Sequence, residues 1–460
     1  MRPTRWRRST HLVVGVAVLL LVAAVVVVAA LLTTSNSTSG AEAVKPAPPA
    51  ATAQPGIVAL ADSATKPTPD RLAATLAPLV ADPNLGNLTG RITDAMTGAQ
   101  LWVQGADTPM QPASTNKVLT AAAALLTLDR DARLTTRVLT TGQPGVVVLK
   151  GGGDPTLSAA PPGQQTWYRD AARISDLADQ VRRSGVNVTT VQVDVSDYSG
   201  PTMAPGWDPV DVDGGDIAPM EAVMLDGGRT QPVSVDSARS RTPALDAGRA
   251  LAIALKVNPA TVGVLPTGVR DGKEIATVQS PPLIERLREM MNASDNVMAE
   301  STGREVAEAT NRPQSFDGAA QAVLGQLDKA KIDTGGAHLL DSSGLSVDDR
   351  LTAETLDGVV NAAAGNDQPR LRALLDLLPI AGGSGTLSNR YLDTDAGRAA
   401  AGYLRAKTGS LTAINALAGI VTDASGRVLT FAFISNNAGP TGRTAIDALA
   451  ATLRSCGCST

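Results

Sequence analysis

Histidine is nearly absent from this 460-residue chain: there are two, His11 and His338. A Ser-His-Asp triad would have to use His338, and no metal site can be assembled from imidazoles. A hydrolase built on this sequence therefore needs a base other than imidazole. Cysteine is as scarce: Cys456 and Cys458 stand in the carboxyl-terminal tail, where a single bridge cannot carry a fold. Aromatic residues make up 2% of the chain, too few for the stacking platforms that bind nucleobases. The formal net charge is −4, and Arg2, Arg5, Arg7 and Arg8 precede a body that is more acidic still. Such a body does not attract polyanions, so nucleic acid is excluded as a partner. Gly151-Gly-Gly-Asp-Pro155 is not followed by Gly-Lys-Ser/Thr, which excludes a phosphate-cradling loop of the nucleotide-binding kind.

What is present begins with an uninterrupted apolar run from Leu12 to Leu32, long enough to cross a bilayer as a helix. With arginines before it and none close behind, it reads as an uncleaved signal anchor. Residues 1–11 are then cytoplasmic, 12–32 transmembrane, and the body lies on the extracytoplasmic side of the cell membrane. Secretion after cleavage is the alternative. Residues 33–69, rich in Ser, Thr, Ala and Pro, read as a flexible linker.

The body alternates helical and strand patterns. Arg71–Val80 is a short amphipathic helix, and Leu88–Ala95 with Gln100–Gln104 reads as a hairpin around Met96-Thr-Gly98. Between them, 70–135 and 281–455 predict one catalytic domain, interrupted at 136–280 by an inserted α+β module. The acidic patch Asp208, Asp211, Asp213 and Asp216 misses the spacing of a calcium loop and is expected to be a solvated loop. Three successive strands are expected over Gly402–Leu411, Ala413–Thr422 and Arg427–Ser435, followed by a helix lined by Ile446, Leu449 and Leu453.

Three short motifs carry chemistry. Ser114 and Lys117 stand three residues apart just after Pro112, at the start of an Ala/Leu-rich helix, so hydroxyl and amine share one face. A serine on a first helical turn also sits near backbone N–H groups without intrahelical partners. Ser294 and Asn296 lie at a junction between two helices, and Lys407-Thr-Gly-Ser410 lies on the first of the three late strands.

In that order, on helix, loop and strand, these motifs resemble those of the penicillin-binding proteins and serine β-lactamases. The long gap between Ser114 and Ser294 is similar to that of the penicillin-binding protein 4 type of D-alanyl-D-alanine carboxypeptidase/endopeptidase. Gly151–Leu157, Ala204-Pro-Gly-Trp207, Asp341-Ser-Ser-Gly-Leu-Ser346 and Ala406–Leu411 add to the likeness. The resemblance implies an α+β fold, an antiparallel sheet flanked by helices, of the β-lactamase/transpeptidase kind. It implies a hydrolase that trims peptidoglycan stem peptides in the cell wall through an acyl-serine, with β-lactam antibiotics as inhibitors and no metal or organic cofactor. Ser114 would be the nucleophile, Lys117 its base, Ser294 a proton relay and Asn296 a holder of a substrate amide. Lys407 and Thr408 would grip the substrate carboxylate, Gly409 would keep the strand edge open, and the N–H groups of Ser114 and Ser410 would form the oxyanion hole. Lys117 can act as a base only if burial and the neighbouring Lys407 charge lower its pKa from about 10.4. Two other readings remain open: a serine β-lactamase, and a non-catalytic wall-binding or β-lactam-sensing receptor.

Overall fold

The computed structural model describes residues 64–455 except 266 and 270. The expected cytoplasmic stretch, the apolar run over 12–32, most of the linker, and Cys456 and Cys458 lie outside these residues.

The expected single-pass topology is corrected: among the described residues no helix is long and apolar enough to cross a membrane. Asn296–Ala309 and Gly442–Ser455, at 14 residues each, would span roughly 21 Å at ~1.5 Å per residue, short of a ~30 Å hydrocarbon core. No transmembrane helix, signal anchor, membrane partner or cell-membrane placement is therefore assigned.

One sheet organises the site. Its strands are β1 (Asn87–Asp94), β2 (Gln100–Gln104), β8 (Leu404–Leu411), β9 (Ile414–Thr422) and β10 (Val428–Asn436), in the order β2-β1-β10-β9-β8, all antiparallel. Side chains alternate across it, as a period of two requires. Ala416, Ala418, Ala432 and Ile434 face a helical core, while Leu417, Val421, Phe431 and Phe433 face the opposite side. On that opposite side lie the Pro69–Val80 helix, through Leu72 and Leu76, and the Gly442–Ser455 helix, through Ile446, Leu449 and Leu453. The helical core brings together Lys117–Thr127, Leu283–Ala293, Asn296–Ala309, Phe316–Lys329 and Ala353–Ala364. Small residues at the contact, Ala121 to Ala124 on the helix and Ala416, Ala418 and Ala432 on the sheet, let backbones approach closely.

A second sheet lies between Thr135 and Gln279 in sequence. It contains β3 (Thr135–Thr140), β4 (Val146–Lys150), β5 (Thr190–Asp194), β6 (Gly263–Val264) and β7 (Glu274–Gln279), in the order β6-β5-β4-β3-β7. β4, β5 and β6 run parallel, and β3 pairs antiparallel with β4 and β7. The helices Ile174–Arg183 and Pro243–Ala254 pack Leu177, Val181 and Leu251 against Val147, Leu149, Val191 and Val193. This sheet has its own apolar core, and its loops reach the first sheet's helices at the site described next.

Candidate active site

Ser114 does not sit on the α-helix itself. It lies on a 3-10 turn, Ala113–Asn116, and the α-helix begins at Lys117. The tighter turn still puts residues three apart over one another, and Lys117 Nζ donates to Ser114 Oγ at 2.9 Å. Lys117 is fully buried, and its two other acceptors are Asn296 Oδ1 at 2.6 Å and the Ser343 carbonyl at 2.8 Å.

Ser294 ends the Leu283–Ala293 helix in a left-handed conformation, φ 56° and ψ 36°, which turns the chain into the next helix. A non-glycine residue held there costs about 1 kcal/mol, a strain found at sites the surrounding fold enforces. Asp295 then caps the Asn296–Ala309 helix, its carboxylate accepting from the Met298 N–H at 3.0 Å. Asn296 is committed at both ends of its amide: Oδ1 accepts from Lys117, and Nδ2 donates to the Asp216 carbonyl at 3.0 Å. The amide is thus oriented before any substrate arrives.

Lys407 is fully buried on the edge strand β8, where its Nζ donates to Ser294 Oγ and to the Thr408 carbonyl, both at 2.8 Å. Thr408 Oγ1 donates to Thr386 Oγ1 at 2.9 Å. Gly409 has a different place from the one its sequence context suggests. A Cβ there would come within 2.6 Å of the Pro112 carbonyl oxygen and 3.1 Å of the Thr115 N. Its missing side chain lets β8 press against the serine turn.

Ser114, Ser294, Asn296, Thr408 and Ser410 line one cavity of about 990 Å³. Asp208, Asp211 and Asp216, expected as a solvated loop, also line it, as do Arg390, Asp393, Arg443 and Asp447. No glutamate does so among the described residues.

Burial sets the electrostatics. It pulls Lys117 down from 10.5 to about 8, against the carboxylates of Asp341, Asp295, Glu300 and Asp349, which favour its charged form. Desolvation is the main cause at Lys117, and the repulsion between the two amines disfavours the charge on both Lys117 and Lys407. Lys407 lies well below its ordinary value, by burial first and then by the charges of Lys117 and Arg390. Nearby, burial and Asp341 push Glu300 up to about 7.

The loop Asp341–Ser346 frames the serine turn from the other side. Its Ser342 and Asp341 carbonyls accept from Thr120 Oγ1 at 2.6 Å and Asn116 Nδ2 at 3.2 Å. At Gly344, with φ 80°, a Cβ would lie 1.9 Å from the Ala113 carbonyl oxygen. Sequence reasoning placed this loop but not its contact with Lys117, and it missed Thr386, Arg390 and Glu300 altogether. Only spatial neighbourhood singles those residues out.

The D-Ala-D-Ala carboxypeptidase 3 (S13) family matches residues 72–238 and 234–455. Residues 1–59 match a second description, the carboxypeptidase Rv3627c-like N-terminal domain. The chain is 74% identical over 459 residues to carboxypeptidase DacB of Mycolicibacterium smegmatis, covering 100% of both. It is 64% identical over 464 residues to carboxypeptidase Rv3627c of Mycobacterium tuberculosis, again covering 100% of both. The crystal structure of penicillin-binding protein 4 from Haemophilus influenzae superposes with a TM-score of 0.69 at 24% identity, over 84% of this chain and 98% of that one; this likeness shows the shared fold. The chain belongs to the D-Ala-D-Ala carboxypeptidase 3 (S13) family, the serine carboxypeptidases of the penicillin-binding protein 4 type.

Proposed function

We propose that Ser114 is the nucleophile of this D-Ala-D-Ala carboxypeptidase, attacking the carbonyl between the last two D-alanines of a peptidoglycan stem peptide. Neutral Lys117 takes the hydroxyl proton as Oγ bonds to carbon. The C–N bond then breaks: Ser294 passes its proton to the amine of the leaving D-alanine and is reprotonated with the proton Lys117 took from Ser114, which returns Lys117 to its neutral form. Water cleaves the resulting ester and restores Ser114. The N–H groups of Ser114 and Ser410 hold the oxyanion, where one lost donor costs ~3 kcal/mol of transition-state stabilisation. Lys407 and Thr408 supply positive charge and a hydroxyl for the substrate's terminal carboxylate. A larger leaving group, the crosslinked stem peptide of an endopeptidase substrate, extends along the cavity toward Arg390 and Arg443.

The observation that carries this reading is the pairing of Lys117 Nζ with Ser114 Oγ at 2.9 Å and of Lys407 Nζ with Ser294 Oγ at 2.8 Å, with both serines lining one cavity. The absence of a glutamate from the described lining favours a slowly hydrolysed penicilloyl adduct over β-lactamase turnover. Labelled penicillin should attach covalently to the wild-type protein and not to Ser114→Ala. Full labelling of that variant would overturn the assignment.

A further inference from the structure

Two of the three acceptors of Lys117 belong to backbone segments that are each pinned by an aspartate. Asn296 opens the helix that Asp295 caps through Oδ1. Ser343 lies in the loop that Asp341 gathers: Oδ1 accepts from the Ser343 and Gly344 N–H groups at 2.9 and 2.6 Å, and Oδ2 from the Ser346 N–H at 2.7 Å. Both aspartates have a further donor, and both donors come from the 135–279 stretch of chain. Tyr168 OH donates to Asp295 Oδ2 at 2.7 Å, and Trp207 Nε1 donates to Asp341 Oδ2 at 2.8 Å. Tyr168 and Trp207 are buried, and the Trp207 ring sits edge-on against Phe316 at 5.0 Å, which fixes its direction.

We propose that Tyr168 and Trp207 are positioning residues for Lys117, holding Asp295 and Asp341 so that Asn296 Oδ1 and the Ser343 carbonyl meet its amine. The stretch carrying the second sheet is then a working part of serine activation. A buried network of this kind depends on every partner being satisfied. Tyr168 is suited to the task because burial, and then the Asp295 charge, push its hydroxyl well above 10, so it remains a donor at any working pH.

The charged groups around Lys117 come from three parts of the fold: Asp341 from the loop and Asp349 just after it, Asp295 and Glu300 from the capped helix and its cap, and Lys407 from β8. Arg229 and Glu289 also feel the Asp295 charge. Removing the hydroxyl of Tyr168 leaves Asp295 with less of its charge neutralised toward Lys117, which favours the ammonium form. The rising limb of serine acylation, set by deprotonation of Lys117, must then move upward in pH.

This inference rests on Ser114 and Lys117 acting as proposed above. The test is the rate of penicillin acylation against pH for the full chain, its Tyr168→Phe and Trp207→Phe variants, and Val191→Ala as control. Val191 lies in the core of the second sheet, away from both aspartates. Tyr168→Phe and Trp207→Phe should each lose about tenfold in acylation rate at neutral pH. Their limbs should move up by roughly half a unit, with every molecule still labelled at saturation, and Val191→Ala should keep the wild-type limb. Limbs at the wild-type position with rates within about twofold, or an equal shift in Val191→Ala, would overturn the inference. Label that survives in Ser114→Ala sinks the underlying reading instead, so the two failures are distinct.

Discussion

Ser294 Oγ accepts a hydrogen bond from Lys407 Nζ at 2.8 Å, which leaves the serine's own proton unspent. A hydroxyl held this way can pass its proton to a leaving amine while the lysine stabilises the alkoxide character that results. Ser294→Ala should therefore slow acylation by about a hundredfold, mostly in kcat and little in KM. Single-turnover measurement with a D-Ala-D-Ala peptide checks this. A rate close to wild type would remove Ser294 from the proton path.

Lys117 carries the pH dependence. Its value near 8 means that about a tenth of the molecules hold a neutral amine at pH 7, against well under one in a thousand for an ordinary lysine. The neutral form grows as pH rises, so acylation should climb about tenfold per unit below 8 and level off above it. Lys117→Arg keeps the charge but cannot deprotonate, and should lose both the limb and the activity. Stopped-flow acylation between pH 6 and 10 measures the profile directly; a flat profile would contradict the assignment.

At Gly409 the prediction is steric. A methyl group there would meet the Pro112 carbonyl at 2.6 Å, and the obstacle is backbone, not a movable side-chain tip. Gly409→Ala must push β8 away from the serine turn, spoiling the geometry between Ser114 and the N–H of Ser410. A displacement on the order of 1 Å at a reacting centre costs about a hundredfold. Acylation should fall by that order while far-UV circular dichroism stays unchanged.

Much of this site was legible in the sequence because local spacing determines it. Ser114 and Lys117 share a face on any turn with about three residues per repeat, so the distinction between 3-10 and α geometry did not matter. Ser294 and Asn296 stand at a junction between two apolar-periodic segments, and the late strands have a clear alternation. The remainder depends on long-range contacts that no periodicity encodes. Tyr168 meets Asp295 across 127 positions of chain, and Trp207 meets Asp341 across 134. Asp208, Asp211 and Asp216 looked like a solvated loop because local composition cannot reveal that the loop folds over a cavity. The membrane expectation rested on the hydropathy of one run and the arginines before it and fell on residues outside those described, while no described helix is long and apolar enough for it.

Asp357 ties the Ala353–Ala364 helix to the sheet. It accepts from Thr93 Oγ1 on β1 at 2.5 Å and from Thr430 Oγ1 on β10 at 2.7 Å. Burial pushes its carboxyl up from 3.8 to about 6, although both hydroxyls and Arg91 favour the charged form. The folded state therefore holds this proton more tightly than the unfolded state. Its contribution to stability is fully present below about 3.8 and declines as pH rises through 6. Asp357→Asn has no such titration. Relative to wild type, its stability should improve between pH 4 and pH 7 by up to about 3 kcal/mol, the equivalent of a shift of roughly two units. Urea denaturation at both pH values measures the difference, and penicillin acylation reports whether the site survives, which it should. A variant that loses stability equally at both pH values would show that the two threonine hydrogen bonds, and not the buried charge, dominate at this position.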